Sequence, residues 1–355
     1  MSDTINGTQT ANVVLGAEAH ELAMMSLYNG NRIDFRKYRS FETLPREAWE
    51  QIDDTLIRTA KENLVGIADL NANPATNMTY DGMSSSVYTR KRISEIGAAT
   101  VSVTPDTTSD SAILAMDDLS VPMMVTYKDF NINTNQMAMA ARIGMPLGFA
   151  LVEEATRSVT RTLENNLFNG ILTANGATAY GYFTYPSRQR YLLGGGDTPP
   201  GKSWAAIDSD PDQILADINM MMSLSMQANH FGPWMLYIPW QYQTRLNQDY
   251  VVGTYNTGFP VSGSIRSRLM ELPGLIGIRV SNYVPNDNVA LVEMTSDTVM
   301  LINGMPLRAL AWEPPGTPNW DHKFKVMTIS MPMMISDYKG QCGIIHGDLV
   351  YDPTP

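Results

Sequence analysis

PLGFALVEEATRSVTRTLENNLFN, residues 146–169, followed by Gly170, decides how the rest of the chain is read. Pro146 suits a first helical turn, where no backbone N–H is required. Gly170 suits the left-handed residue just past a helix end. Leu147, Leu151, Ala155, Val159, Leu163 and Leu167 form an i, i+4 ladder, while Glu153, Arg157, Arg161 and Glu164 keep the other side wet. The spacing predicts a helix over 146–169 with one half exposed. The stretch after it, GILTANGATAYGYFTY, is small, glycine-rich and apolar. A long half-exposed helix in a chain otherwise rich in strands and loops needs cover. Other copies of the same chain would supply it, so a self-assembling structural protein is the leading reading.

Working outward, Met1 to about Phe41 is polar and rich in small residues, with one helical stretch near Ala17–Tyr28 and a solvated basic cluster at Arg32, Arg36, Lys37 and Arg39. It reads as an arm without a core of its own. Thr43–Leu70 reads as one helix, capped by Thr43, with Pro45 in its first turn. Asn71–Pro122 has no helical period. Two short β runs around a polar tip predict a long extended hairpin. Val121–Met137 reads as a strand leading to the long helix.

After Tyr185 comes the loop SRQRYLLGGGDTPPGKSW. Asp210, Pro211 and Gln213 open a further helix in a capping-box pattern. PWMLYIP (233–239) is apolar and proline-bounded, so it reads as a buried strand. WQYQTRLNQDY reads as a helix, VVGTYNTGFPVSG as a mobile loop and Ser264–Leu272 as a short helix. Strands follow at 276–280, 289–294, 299–302, 307–312, 324–331 and 342–346. Helices and strands fall in blocks, which gives an α+β class.

The bulk numbers narrow the function. With 355 residues, 44% of them hydrophobic, the chain can build a substantial core. Charged residues make up only 17%, which fits a surface partly hidden by partners. Lys plus Arg number 25 against 36 Asp plus Glu, a net charge of −11. That argues against a dedicated nucleic-acid binder but not against a shell that encloses nucleic acid without gripping it. The start MSDTINGTQTANVV has neither the basic end nor the apolar stretch of a signal peptide, and no membrane-length apolar run occurs. Of the 24 methionines, those at 220–222 and 331–334 read as core.

Catalytic patterns are weak. Gly196–Ser203 satisfies the phosphate-loop pattern, but Pro199 and Pro200 remove two N–H donors and no helix is expected to start at Lys202. His20, His230, His322 and His346 make no metal-ligand spacing, and the single Cys342 reads as a structural thiol. The expectation is no enzyme, no catalytic residue, no cofactor and no metal.

The order of segments carries a resemblance. PREAWEQIDD resembles the N-terminal helix of encapsulins, and the extended segment after it resembles their E-loop. VPMMVTYKDFNI, leading to the long helix and LENNLFNG, resembles the spine-helix region of encapsulins and tailed-phage major capsid proteins. DPDQILADINMMM, GPWMLYIPWQYQTRL and LPGLIGIRVSNYVPNDNVALVE resemble their axial domain. The resemblance covers Thr43 to His346. It implies the Hong Kong 97-type capsid fold, divided as an N-terminal arm (1–42), the peripheral domain's N-terminal helix (43–72), an E-loop (73–122), the peripheral domain with its spine helix (123–203), an axial domain (204–305), and peripheral strands with the C-terminus (306–355).

The function it implies is a major capsid protein, self-assembling into the icosahedral shell around the double-stranded DNA of a tailed bacteriophage. The alternative is an encapsulin shell around a cargo enzyme. The implied partners are other copies in pentamers and hexamers, separate scaffolding, portal and decoration proteins, and packaged double-stranded DNA contacted without sequence specificity. No membrane is involved. The implied location is the virion, assembled in the host bacterial cytoplasm. Arg90, Lys91, Arg92, Arg157, Arg161 and Tyr255 are the expected inter-subunit contacts. Some phage shells of this fold cross-link an E-loop Lys to a neighbour's Asn; for Lys91 no such bond is expected.

Overall fold

The computed structural model describes residues 64–94, 103, 114–133, 147–173, 176–194, 201–206, 211–251, 262–312 and 321–350. The expected arm, most of the helix expected at 43–70, and Tyr255 lie outside these residues. The described chain divides into two compact units. The smaller holds 128–133, 147–155, 308–312 and 321–326, and the larger holds the remainder.

The larger unit is organised by a five-stranded mixed sheet. Its strands are β7 (Gln189–Leu192), β8 (Trp234–Ile238), β11 (Leu275–Val280), β12 (Val289–Glu293) and β15 (Ile344–Asp348), in the order β11-β8-β12-β15-β7. β8 is parallel to β11 and antiparallel to β12, β12 is antiparallel to β15, and β15 is parallel to β7. β8, β12 and β15 are buried at every residue, β8 and β12 as near-continuous apolar runs of the kind expected in strands covered on both faces. On one face Trp234, Leu236, Ile238, Leu275, Ile278, Val289, Leu291 and Ile345 pack against three helices. These are α3 (Pro211–Gln227), α4 (Trp240–Leu246) and α5 (Ile265–Met270), which contribute Ile214, Ile218, Met221, Tyr242, Leu246, Ile265 and Leu269. Each such buried side chain stabilises the unit by roughly 1.5–3 kcal/mol.

The opposite face carries one cross-strand row, Arg190–His346–Ala290–Tyr237–Arg279. In-register partners share a face. The small Ala290 leaves room above it. Tyr182 stacks on Tyr237 with centroids 5.8 Å apart, and Phe183 meets the His346 ring edge-on at 4.8 Å.

Those two aromatics belong to the chain leaving the long helix α2 (Leu147–Asn169), which ends where the sequence placed its end. Gly170 has φ +71°, and the chain then doubles back through β5 (Ile171–Leu172) and β6 (Thr178–Ala179). Tyr182 and Phe183 donate N–H bonds to the carbonyls of Leu167 and Phe168 at 3.0 and 2.9 Å, capping the helix. The return passes so close that a Cβ on Gly181 would lie 2.4 Å from the Gly170 nitrogen. Gly170 and Gly181 in GILTANGATAYGYFTY are therefore packing requirements.

A four-stranded sheet completes the description, in the order β1-β13-β14-β4. β1 is Asn77–Thr79, β4 Val125–Asn133, β13 Val299–Trp312 and β14 Asp321–Met334. Bonds link residues 298 to 335, 303 to 330 and 305 to 328, so β13 and β14 run antiparallel. In the smaller unit Phe130 stacks on Phe324 at 5.2 Å, and the Lys325 ammonium lies 3.4 Å from Asp129. Two-stranded pairs join β2 (Val87–Ile93) to β3 (Met116–Pro122) and β9 (Asp249–Val251) to β10 (Ser262–Ser264).

Several expectations need correction. The helix read over 43–70 is not continuous: Leu64 and Val65 are not helical, and α1 runs from Gly66 to Ala72 with the N–H groups of Val65, Gly66 and Ile67 bonded to Glu164. Glu164 itself is fully buried, not on the wet side of α2. The pieces 299–302 and 307–312 are one strand, β13. RQRYLL, read as loop, supplies the edge strand β7. The ends of the segment read as a mobile loop pair as β9 and β10. Met221 and Met222 are core, but Met220 is 54% exposed.

Candidate assembly surface

The β2–β3 hairpin has two unlike faces. Strand alternation puts Tyr88, Arg90 and Arg92 on one side, opposite Val121, Leu119 and Asp117. Val87, Thr89, Lys91 and Ile93 lie on the other, opposite Pro122, Ser120, Asp118 and Met116. The first face turns inward. Tyr88 and Val121 are buried in a satellite core with Ala179, Met300, Ile302, Met331, Met333 and Ile335. Tyr88 meets Tyr80 edge-on at 5.1 Å. On the second face Val87, Thr89, Lys91 and Ile93 are all exposed, as are Met116 and Asp118. An exposed apolar pair, Ile93–Met116, beside the opposite charges Lys91–Asp118 suits contact with another protein surface.

Arg90 and Arg92 both engage their own chain. Arg90 donates to the Ser296 carbonyl at 2.5 Å and to Asp297 at 2.9 Å. Arg92 donates to the Ser336 hydroxyl at 3.0 Å, the Asp337 carbonyl at 3.4 Å, and Asp117. Lys91 alone of the three points outward. On α2, Arg161 is exposed and Arg157 half-buried. Thus only the alternation of β2, which was legible, separates Lys91 from its two basic neighbours.

The inner side of α2 is held by charge as well as by apolar packing. Both Glu164 oxygens accept N–H bonds from the start of α1: Gly66 at 2.7 Å, Val65 at 3.2 Å and Ile67 at 3.3 Å. A carboxylate is favoured at this positive helix end. Burial pushes the Glu164 pKa up, and the three donors only partly pull it back. Glu164→Ala should leave those donors unmatched and lower stability in a urea titration by about 1–3 kcal/mol. Its raised pKa works the other way in acid. The folded chain holds this proton more tightly, so the Glu164 contribution is greatest at low pH and declines as pH rises through its folded value.

Residues 39–347 match the Family of unknown function (DUF6260). The chain belongs to that family. No curated protein matches it. Among solved structures, this DUF6260 chain is similar to the virus-like particle from Pyrococcus furiosus, with TM-score 0.56 at 15% identity over 85% of this chain and 100% of that one. It is similar to the capsid of Myoviridae phage XM1, with TM-score 0.58 at 11% identity over 78% and 90%. A chain of Mycobacterium phage Bobi gives TM-score 0.53 at 11% identity over 77% and 89%. The DUF6260 chain thus has an α+β fold of the Hong Kong 97 type.

The polar clusters of this DUF6260 member are built for packing. Glu293 accepts from His230 at 2.5 Å, Thr298 at 2.7 Å and the Gly232 N–H at 3.0 Å, with all three side chains buried. Burial would raise the Glu293 pKa, but the bonds from His230 and Thr298 outweigh it and bring the group below its ordinary value. The buried Asp217 accepts from Trp204, Gly194, Gln213 and Tyr191 at 2.7–3.0 Å. Cys342 is buried with its thiol pushed up to about 12, chiefly by desolvation, so it is a poor nucleophile. At the phosphate-loop pattern, the N–H groups of Gly201 and Lys202 bond the Leu349 and Leu193 carbonyls, and no helix starts there. Those donors are unavailable to a phosphate. Among the described residues no three metal-ligating side chains gather as a metal site, and no helix is long and apolar enough to cross a membrane.

Proposed function

We propose that this chain is a major capsid protein that self-assembles into the icosahedral shell of a tailed bacteriophage and encloses its double-stranded DNA. One observation carries the reading: a fold likeness, spanning most of the chain, to the virus-like particle from Pyrococcus furiosus and the capsid of Myoviridae phage XM1. The exposed outer face of the β2–β3 hairpin supports it. The role is structural, not enzymatic. The net charge of −11 favours enclosing DNA over gripping it.

On this reading Lys91, Arg161, Arg157 and Tyr255 face neighbouring copies in pentamers and hexamers. Scaffolding, portal and decoration proteins are separate chains, and the shell forms in the host bacterial cytoplasm. The likeness covering the whole of the Pyrococcus furiosus chain supports a second reading, an encapsulin compartment.

Electron microscopy of the purified chain tests both. Closed megadalton shells are expected. Large shells with hexamers and co-purified DNA support the phage reading, and small pentamer-only shells with a cargo enzyme support the other. A stable monomer, unchanged when the products of neighbouring genes are added, would sink both.

A further inference from the structure

We propose that Arg90 and Arg92 are positioning residues that fix the direction of the β2–β3 hairpin on its own subunit before any neighbour is met. The proposal rests on the self-assembly reading for its purpose, but not for its physics. A lone two-stranded hairpin is marginally stable in water. The apolar seat of this one lies at its base, where Tyr88 pairs with Val121. Farther out, Lys91–Asp118 and Ile93–Met116 face solvent. On the inner face that stretch is tied down by the two guanidinium groups.

Their targets are two turns at one end of the β13–β14 pair. Arg90 reaches the turn before β13, at Ser296 and Asp297. Arg92 reaches the turn after β14, at Ser336 and Asp337. The turns are themselves joined, since the Ile335 N–H bonds the Thr298 carbonyl at 2.9 Å and the Tyr185 hydroxyl donates to Ser336 at 3.0 Å. Arg92 also holds Asp117, its partner on β3, so one guanidinium secures both strands. Three of the acceptors are main-chain carbonyls, which do not move with side-chain rotamers. A guanidinium holds its donors in a fixed planar fork that reaches separated acceptors, whereas an ammonium presents three rotatable donors from a single point. The hairpin is therefore aimed in the free subunit, and its outer face is left clear for another copy.

The test uses the full chain, kept below its assembly concentration, with hydrogen exchange read segment by segment. In Arg90→Ala/Arg92→Ala, amides of 87–93 and 116–122 should exchange roughly tenfold faster, while β8 and β12 keep their protection. The concentration needed for shell formation should rise several-fold. Arg90→Lys and Arg92→Lys, milder changes for the case where the double variant does not fold, should give the same local pattern. Lys91→Ala should leave exchange in the free chain unchanged. Hairpin amides equally protected in the variants, or unprotected in the unaltered free chain, would overturn the proposal, as would a uniform loss across every strand. A chain that never assembles would remove the self-assembly reading, and hairpin exchange would still decide whether the arginines hold it.

Discussion

Val159→Pro is expected to lower stability by about 3 kcal/mol or more and, on the proposed self-assembly reading, to abolish particles. Val159 lies near the middle of α2 and is buried. Proline there removes the N–H bond to residue 155 and sets its ring against that carbonyl. The damage would not stay local. Downstream of residue 159, α2 carries Glu164, which caps α1, and Leu167 and Phe168, whose carbonyls hold the returning chain at Tyr182 and Phe183. A kink at 159 moves all of these together. Circular dichroism and size exclusion check the expectation, and soluble, assembled Val159→Pro protein would refute it.

Acid should destabilise the fold through His346. Desolvation comes first, followed by Arg188 and Arg190, in bringing its pKa down to about 3. The geometry agrees. Arg188 Nε donates to Nδ1 at 3.3 Å, so that nitrogen must stay unprotonated, while Nε2 faces Asn288 Oδ1 at 2.6 Å. The other charged groups around it are Asp348 on the same strand and Arg190 on β7. The unfolded chain takes up this proton near pH 6.5 and the folded chain only near 3. Between those values the unfolded state holds more protons, so stability falls as pH falls. The full loss is on the order of 5 kcal/mol, opposed in part by Glu164. His346→Gln should flatten the urea midpoint against pH between 6.5 and 3. An unchanged slope in that variant would exclude His346 as the cause.

What could be read from sequence follows from where each signal resides. α2 was legible because its period, its proline and its glycine are all local. β8 was legible as an apolar run between two prolines. β7 was not: it is short, polar and at a sheet edge, and it exists only by parallel pairing with a distant strand. β13 looked broken because of Gly304 and Pro306. Yet Gly304 lies so close to the chain at Gly82 that a Cβ on it would be 2.8 Å from the Gly82 Cα. That glycine reports a close approach, not a turn. Glu164 looked like a surface charge because its partners lie in a helix far earlier in the chain. Alternation along β2 separated Lys91 from Arg90 and Arg92, but nothing local said which side faced the body.

The two long strands have a mechanical consequence. In the larger unit β13 contributes residues 299–307 and β14 residues 327–334, about 25–30 Å of extended chain, and there they pair antiparallel. A pull applied along the strands loads their cross-links side by side, in shear, so many must yield together. A pull across the pair would open them one after another. The larger unit is therefore stiffest against tension along those strands, which on the proposed capsid reading is the direction in which a shell inflated from within would load it if the strands lie tangential to its wall.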